Sequence, residues 1–394
     1  MKERINLLVN EYFPLIKSIR EHIHKNPELS FQEKNTSAFV FKTLQEWGLT
    51  DITPMAGTGL VVLIKGKNPN KRVIALRSEL DALPIVEKNK VPYCSVNEGV
   101  MHACGHDVHT ASLLGAAKIL YDLKDEWEGT VKLIIQPGEE KEPGGASIMI
   151  KEGVLENPKP ELIIAQHVHP SMEVGKVGFK AGLYMASADE IYITVKGKGG
   201  HGALPQNCID TVLLASHIVV GLQQVVSRNA YPIIPSVLSF GKFIANGATN
   251  VIPDEVRIEG TFRTMDETWR KKAHQRIQQI ASGIAESMDG SAQVEISKGY
   301  PCLVNEPNLT AQCRSLAASY LTDNQVEELD LRMTAEDFSF FAQELPVCFY
   351  RLGTASVDGQ NASPVHTATF DIDPDALKIG MGLMAWLAFK QLTN

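Results

Sequence analysis

The feature that most constrains the fold of this chain is a series of short, almost uninterrupted apolar runs. They occupy residues 60–64, 73–76, 131–135, 162–165 and 347–352, and stretches with helical periodicity lie between them. Runs this short and rich in Val and Ile are typical of strands buried on both faces of a mostly parallel sheet. The sequence therefore predicts an α/β fold in which helices flank such a sheet.

Residues 182–297 have a different pattern. Apolar and polar side chains alternate along residues 191–196, which predicts a strand with one face in water. Helix and strand signals then follow in the order β-α-β-β-α-β, the order of a ferredoxin-like unit. We expect an α/β domain formed by residues 1–181 and 298–394, and a smaller α+β domain, residues 182–297, inserted into it. Further on, Thr334 and Asp337 resemble a capping box and predict the start of a short helix.

Residues 101–107 read Met-His-Ala-Cys-Gly-His-Asp, and a helical pattern over residues 110–124 follows them. A lone cysteine is usually a buried thiol, but His106 stands two positions after Cys104, with Asp107 beside it, which favours metal binding. A metal held by Cys104 and His106 needs two or three more ligands. The rest of the chain should supply them.

Further polar residues follow the predicted buried strands, at the end of the sheet where α/β proteins bind their ligands. They are Asp81, the pair Glu139 and Glu140, His167 or the nearby His169, and His366. Three of these sites have a plainer interpretation: Asp81 as a turn cap, the Glu pair as a solvated acidic turn, and His167 and His169 as the polar end of a strand. His366 taken alone is close to uninformative. The remaining histidines are interpreted as structural or surface residues; they are His22, His24, His109, His217 and His274.

Taken together, one Cys, three His and two adjacent Glu exceed what a single closed zinc site needs. Two metal ions that share a bridging ligand fit the set better, and one carboxylate then remains to act as a base toward water. Such a site indicates hydrolysis. Thiolate, imidazole and carboxylate ligands favour Zn²⁺, and they also suit Mn²⁺, Co²⁺ or Ni²⁺.

The inserted domain contributes the segment Gly-Gly-His-Gly-Ala at residues 199–203, in which glycines surround His201 and leave its imidazole projecting. The alternative is a glycine-rich hairpin with an incidental histidine. Asn250 and Arg263 carry an amide and a guanidinium that we expect to reach the same place, and a guanidinium is well suited to a carboxylate.

Charge and hydropathy argue against two classes of binding partner, nucleic acid and membranes. The 394-residue chain has a net charge of −8, a pI of about 5.8 and no strongly basic cluster, so nucleic acid and anionic membranes are poor partners. No apolar run reaches the ~20 residues that span a bilayer, and the first residues do not form a signal peptide. The six cysteines show no paired spacing. We expect a cytoplasmic protein.

The chain resembles a known family, the co-catalytic metal amidohydrolases that include hippurate hydrolase, N-acetyl amino acid deacetylases and plant auxin-conjugate hydrolases. The matching stretches are residues 24–29, 80–84, 101–107, 136–140, 199–203, 250–254, 336–338 and His366. They follow the family's order over almost the whole chain. The segment at 101–107, the Glu pair and Gly-Gly-His-Gly-Ala are together specific to this family.

The resemblance implies a role for each candidate. The implied metal ligands are Cys104, which would bridge two divalent ions, and His106, Glu140, His167 and His366. Glu139 would be the general base and Asp81 a supporting residue of the catalytic set. His201 would stabilise the oxyanion, in many relatives from the partner subunit, while Asn250 and Arg263 would help to hold the substrate.

By the same resemblance the inserted domain serves as a lid and a dimer surface, and the protein is a homodimer. The implied reaction is metal-dependent cleavage of the amide of an N-acyl amino acid or a related small conjugate. Two alternatives stay open: a di- or tripeptidase with the same site, and a non-catalytic protein that binds metal or ligand on this scaffold. The chain departs from the family at Glu79, where relatives commonly have Asp, and at Gly138, where they have Ala.

Overall fold

The computed structural model describes residues 1–359 and 361–393. Among them the strands are β1 (Ile52–Met55), β2 (Gly59–Lys65), β3 (Val73–Glu79), β4 (Thr130–Gln136), β5 (Ile163–Glu173), β6 (Val177–Phe179), β7 (Gly182–Met185), β8 (Asp189–Lys196), β9 (Gly200–His201), β10 (Ser236–Ala245), β11 (Val251–Ile252), β12 (Glu255–Thr264), β13 (Ser291–Lys298), β14 (Leu303–Asn305), β15 (Val326–Glu328) and β16 (Val347–Ala355). The α-helices are α1 (Lys2–Lys25), α2 (Lys34–Glu46), α3 (His106–Asp122), α4 (Gly145–Lys151), α5 (Thr211–Gln224), α6 (Glu267–Ser287), α7 (Pro307–Tyr320), α8 (Ser339–Ala342) and α9 (Ala376–Thr393).

The chain divides into two compact units. The first unit comprises residues 1–182, 304–330 and 340–394, and the second comprises residues 183–303 and 331–339. The second unit thus contains residues 331–339 in addition to a continuous central segment.

The first unit is built on a sheet with the strand order β1-β2-β4-β3-β5-β16-β6-β15. Its four central strands, β4, β3, β5 and β16, pair in parallel, whereas β1, β2 and the contact of β16 with β6 are antiparallel. Every residue of β3, β4 and β16 is buried, as the apolar runs predicted for strands covered on both faces. The predicted α/β class with a mostly parallel sheet is confirmed.

Helices α1, α3 and α9 pack together in the core of the first unit. Helix α3 is buried at almost every position from His106 to Leu120, and α9 is similarly enclosed. A helix that is apolar all round is a core helix, not a surface one. The structure therefore holds the start of α3, which carries His106, inside a packed core.

The second unit contains a four-stranded antiparallel sheet with the order β10-β12-β8-β13, covered by α5 and α6. In chain order this is β-α-β-β-α-β with the first and third strands in the centre, the predicted ferredoxin-like arrangement. Two carboxylates cap its helices: Asp210 accepts hydrogen bonds from Val212 N and Leu213 N, and Asp266 accepts one from Trp269 N.

Three local predictions are wrong. Helix α3 begins at His106 instead of residue 110, because Gly105 adopts a left-handed conformation (φ +84°) directly before it. No helix begins at Thr334; α8 begins at Ser339, and the Glu336 side chain accepts from Phe338 N in a turn before it. Strand β5 runs on to Glu173, so His167 lies within the strand and not after it. Among the described residues, no helix is both long and apolar enough to cross a bilayer.

Candidate metal centre

The central strands of the first unit bring the candidate residues to one edge of the sheet. Asp81 follows β3, Glu139 and Glu140 follow β4, and His366 lies in the loop after β16. His167 lies in β5, opposite Arg351 of β16. Parallel strands end at the same edge, which is where open α/β sheets form their functional crevice.

Several of these side chains lie close enough to bind shared ions. Two groups contain the thiol of Cys104: one with His106 and His167, and one with Glu140 and His366. A further group joins His106 to Glu139 and Glu140. Within each group the ligand atoms lie within 4.8 Å of one another. Cys104, His106 and Glu140 each belong to more than one of these groups, so the groups form one connected cluster.

The imidazoles are oriented by hydrogen bonds on the side away from the cluster. His106 Nδ1 lies 2.9 Å from Asp81 O and 3.1 Å from Asp81 Oδ1, and His167 Nδ1 lies 2.9 Å from Val168 O. An imidazole that donates through Nδ1 has Nε2 available as a ligand. His167 Nε2 is 3.4 Å from Cys104 Sγ, and His106 Nε2 has no hydrogen-bond partner among residues 1–359 and 361–393.

These observations test whether the residues suit a pair of divalent ions. A thiol, three imidazoles and a carboxylate are the ligand types that Zn²⁺ binds, and a buried imidazole nitrogen without a hydrogen bond from the described residues fits a metal ligand. The residues fit such ions.

His366 is held beside the cluster by its backbone. Its amide donates to Ala103 O at 2.7 Å, and its Nε2 lies 3.1 Å from Glu140 Oε1. The residue has φ +62°, in the left-handed region that few residues other than glycine adopt. Such conformations persist where the surroundings hold them, often at functional sites.

Asp81 connects three parts of the site. Besides contacting His106, its Oδ2 accepts from Ser30 Oγ at 2.6 Å and from Glu140 N at 2.9 Å. Burial by itself would raise the pKa of Asp81, but the hydrogen bond with His106 lowers it below its usual range. Burial by itself would lower the pKa of His106, but Asp81 raises it to about 10. Asp81 therefore connects His106, Ser30 and the backbone of Glu140 through its carboxylate.

Next to this layer lies the buried side chain of Glu79. Its carboxylate pairs with Arg77 and lies 2.8 Å from His109 Nδ1. Burial would raise the pKa of Glu79, but Arg77 and His109 together lower it below its usual range. His109 Nε2 in turn accepts from Val168 N at 2.9 Å. The longer side chain thus reaches a histidine that supports the strand carrying His167.

A second buried network joins the two ends of the site. Arg20 of α1 donates to Asp107 at 2.7 Å and to Asp371 at 2.8 Å, and His24 Nδ1 lies 2.8 Å from Asp107 Oδ2. Asp107 follows His106, and Asp371 lies five residues after His366. Arg20 therefore ties together the two segments that carry proposed ligands. Nearby, burial lowers the pKa of His102 to about 3, so its ring is neutral.

Two candidates of the second unit, His201 and Asn250, lie at a two-stranded ribbon formed by β9 and β11. His201 pairs with Val251, and Gly202 N donates to Asn250 O at 2.8 Å, so His201 and Asn250 are neighbours. Both are exposed. His201 Nδ1 accepts from Ala203 N at 3.0 Å, which leaves Nε2 facing outward.

Arg263 is not brought to the β9–β11 ribbon within one chain. It is the ninth residue of β12, whose first residue, Glu255, lies next to the ribbon. Eight residues of strand correspond to roughly 26 Å. Arg263 is half-buried, and burial lowers its pKa.

Two supporting residues were missed by the sequence reasoning. The sequence predicts His109 as a structural or surface histidine, although it lies three positions after His106 and so on the same side of α3. It predicts the same for His24, which contacts Asp107. The helical spacing was a signal for His109; no spacing connects His24 to Asp107.

The chain is similar to proteins of known family and to solved structures. The profile of Peptidase family M20/M25/M40 matches residues 75–390. The chain is 42% identical over 304 residues to an N-acyl-L-amino acid amidohydrolase of Geobacillus stearothermophilus, covering 77% of this chain and 81% of that one. It is 36% identical to thermostable carboxypeptidase 2 of Saccharolobus solfataricus, covering 98% of both. Its fold matches the crystal structure of a Bacillus subtilis dinuclear metal-binding peptidase of the M20 family with a TM-score of 0.82 and 31% identity, covering 98% of this chain and 99% of that one.

Proposed function

This chain belongs to Peptidase family M20/M25/M40, and on that premise we propose that it is a metal-dependent amidohydrolase that cleaves N-acyl amino acids. The products are a carboxylate and a free amine. The observation that carries the proposal is the meeting of Cys104, His106, Glu140 and His167 beside Glu139, at the carboxyl ends of the central strands. The G. stearothermophilus relative, an N-acyl-L-amino acid amidohydrolase, supports this substrate class.

We propose two divalent ions as the cofactor, with Zn²⁺ the first choice and Mn²⁺, Co²⁺ or Ni²⁺ as alternatives. Cys104, His106, Glu140, His167 and His366 would hold these ions. When bound, such ions polarise the scissile carbonyl and lower the pKa of the attacking water. The description of the B. subtilis structure as a dinuclear metal-binding peptidase supports the number of ions.

Two side chains near the proposed ligands have further roles, Glu139 in proton transfer and Asp81 in positioning. Glu139 Oε2 lies 4.0 Å from His106 Nε2, so its carboxylate faces the proposed ligands. Glu139 takes a proton from the attacking water and returns it to the amine as the carbon–nitrogen bond breaks. Asp81 holds His106 and the backbone of Glu140 in place.

In the second unit, we propose that His201 donates a hydrogen bond to the oxyanion of the tetrahedral intermediate. Asn250, its neighbour on the β9–β11 ribbon, and Arg263 hold the substrate. The separation of Arg263 from the ribbon within one chain favours a role for His201 in the partner subunit of a homodimer. In that arrangement the inserted domain predicted over residues 182–297 would serve as the lid and dimer surface.

A homodimer is supported by the apolar side chains that the second unit exposes. On α5, Leu213 and Val220 are 49% and 72% exposed, and on the edge strand β10 Phe243 is 43% exposed. Apolar side chains that are exposed in a single chain can be buried against a second chain. A cytoplasmic location stays a prediction.

A peptidase is the second candidate, because the chain covers 98% of a carboxypeptidase at 36% identity. One experiment separates the two candidates. Metal-stripped protein is reloaded with Zn²⁺, Mn²⁺, Co²⁺ or Ni²⁺ and tested on acetyl- and benzoyl-amino acids and on dipeptides. The proposal expects kcat/KM to be higher for acyl-amino acids and activity to vanish with a chelator. Higher kcat/KM for dipeptides would assign a peptidase, and no turnover of either class would leave a binding protein.

A further inference from the structure

The loop that carries Glu139 is held on both sides by buried carboxylates. On one side, Glu140 N donates to Asp81 Oδ2 at 2.9 Å. On the other side, Gly138 N donates to Glu33 Oε1 at 2.8 Å. The backbone amides that flank Glu139 therefore each have a charged or polar acceptor from a distant part of the chain, and only the first of these acceptors belongs to the site described so far.

Glu33 is fully buried and accepts three hydrogen bonds. Its Oε1 accepts from Phe31 N at 2.9 Å as well as from Gly138 N, and its Oε2 accepts from Thr58 Oγ1 at 2.7 Å. Burial raises the pKa of Glu33. A buried carboxyl group costs stability unless its hydrogen bonds are satisfied, so its presence here requires a gain elsewhere.

Helix capping does not account for Glu33. The residue stands directly before α2, where an acidic side chain commonly accepts from the first amides of a helix. Its side chain makes no such bond and turns to the loop after β4 instead. Glu28 caps the helix instead, because its carboxylate accepts hydrogen bonds from Asn35 N and Thr36 N in the first turn of α2.

The loop that carries Glu139 has little room to adopt another conformation. Gly138 has φ +57°, and a Cβ added there would lie 2.4 Å from the ring of Phe31. A Cβ on Gly145 would lie 1.7 Å from Pro137 O. The segment 28–33, which supplies both Phe31 and Glu33, therefore forms one wall against which the loop is packed.

We propose that Glu33 is a positioning residue for Glu139. By holding the N–H of residue 138 while Asp81 holds the N–H of residue 140, it keeps the peptide of Glu139 in one orientation, and the carboxylate stays directed at the proposed metal ligands. The inference rests on the proposed function only in naming Glu139 as the base; the backbone role of Glu33 is independent of it.

The test compares Glu33→Ala, Glu33→Asp and Glu33→Gln with the control Glu28→Ala. The Gln side chain keeps an oxygen for the two amides, whereas the Asp side chain keeps the charge but is one methylene too short to reach Gly138. We expect kcat to fall about 10- to 100-fold in the Ala and Asp variants, with KM within about twofold, because misplacement by about 1 Å has such an effect. The Gln variant should stay within about threefold of the wild type in kcat.

Amide hydrogen exchange of the peptide 137–145, followed by mass spectrometry, supplies a measurement that does not require activity. Exchange should be faster in Glu33→Ala and Glu33→Asp than in the wild type, Glu33→Gln or Glu28→Ala. If the Ala variant does not fold, the Asp variant carries the test. Unchanged exchange in Glu33→Asp, or equal acceleration in Glu28→Ala, would overturn the proposal. A wild type without amidohydrolase activity would instead overturn the proposed function and leave this comparison intact.

Discussion

The proposed metal site of the first unit and the β9–β11 ribbon of the second unit are built in opposite ways. Cys104, His106 and His167 are at most 7% exposed, and both imidazoles are fixed by hydrogen bonds. On the ribbon, His201 and Asn250 are exposed and are placed by backbone hydrogen bonds of glycine-rich segments. The first set is therefore tied to the core, while the second can change without disturbing it.

This difference predicts how substitutions at the two places will change stability and activity. In the buried site, the loss of a side chain changes metal binding or leaves a neighbouring polar group without its partner, which costs stability as well as activity. On the ribbon, surface substitutions alter stability by no more than about 0.5 kcal/mol. Activity and stability should change together at the first place and separately at the second.

Replacement of the proposed base has the largest expected effect on the reaction. Glu139→Gln keeps the size of the side chain but removes its ability to accept a proton. We expect kcat to fall about 10³-fold while the metal content stays at two equivalents, since general base catalysis contributes about 10²- to 10⁴-fold. Steady-state kinetics and elemental analysis measure both quantities. Glu98→Gln, at an exposed position, is the matched control. A Glu139→Gln protein with wild-type kcat would exclude the mechanism.

Removal of the proposed thiolate ligand, Cys104, should have the next largest effect. Cys104→Ala is expected to lose at least one of two metal equivalents and to weaken binding of the other by more than about 100-fold, because even residues behind the ligands contribute about 10- to 100-fold. Metal analysis after dialysis against a weak chelator measures the loss. Cys313→Ala removes an equally buried thiol of α7 and should retain both ions. Full occupancy in Cys104→Ala would remove this residue from the ligand set.

The contrast between buried and exposed regions also explains how much of the structure the sequence predicts. The apolar runs predicted β2, β3, β4, β5 and β16, because strands buried on both faces have few polar residues. The three-residue strands β6 and β15 were not predicted, since so short a segment shows no period. The overall class and the family resemblance were predictable and are confirmed.

Within the site, residue types were predictable but partners were not. His167 and His169 stand two residues apart on one strand, about 7 Å from each other, and only the register of β5 decides which one reaches Cys104. Glu33 and Asp81 act through backbone amides 105 and 59 residues away, and no sequence period reports such a contact. The roles assigned to Asn250 and Arg263 stay predictions.

On the ribbon, His201→Ala should lower kcat about 100-fold, the usual effect of losing one oxyanion donor. The melting temperature should not change, because the side chain is exposed, and Gln206→Ala in the same exposed loop should change neither quantity. Thermal unfolding and kinetics are measured on the same preparation. A clear loss of stability in His201→Ala would show that the ribbon is tied to the core as the metal site is.

Mixed dimers then determine which subunit His201 serves. If His201 acts on the partner's site, a dimer of one His201→Ala chain and one Glu139→Gln chain contains one site with both groups intact. Mixing the two inactive variants should restore up to about half of the activity of one wild-type dimer when mixed dimers form completely. Verified mixed dimers that stay inactive would assign His201 to the site of its own chain.

The smallest effect is expected at Asn250. This residue neighbours His201 on the ribbon, so the two can be compared directly. An amide that holds a substrate carboxylate in both the ground state and the transition state contributes equally to the two, so its loss raises KM and leaves kcat unchanged. One hydrogen bond to a charged group corresponds to about a tenfold rise in KM. Asn250→Ala should show that rise with an unchanged melting temperature, and Thr249→Ala, the exposed neighbour, should show neither. A fall in kcat at constant KM would instead place Asn250 with His201 in stabilising the transition state.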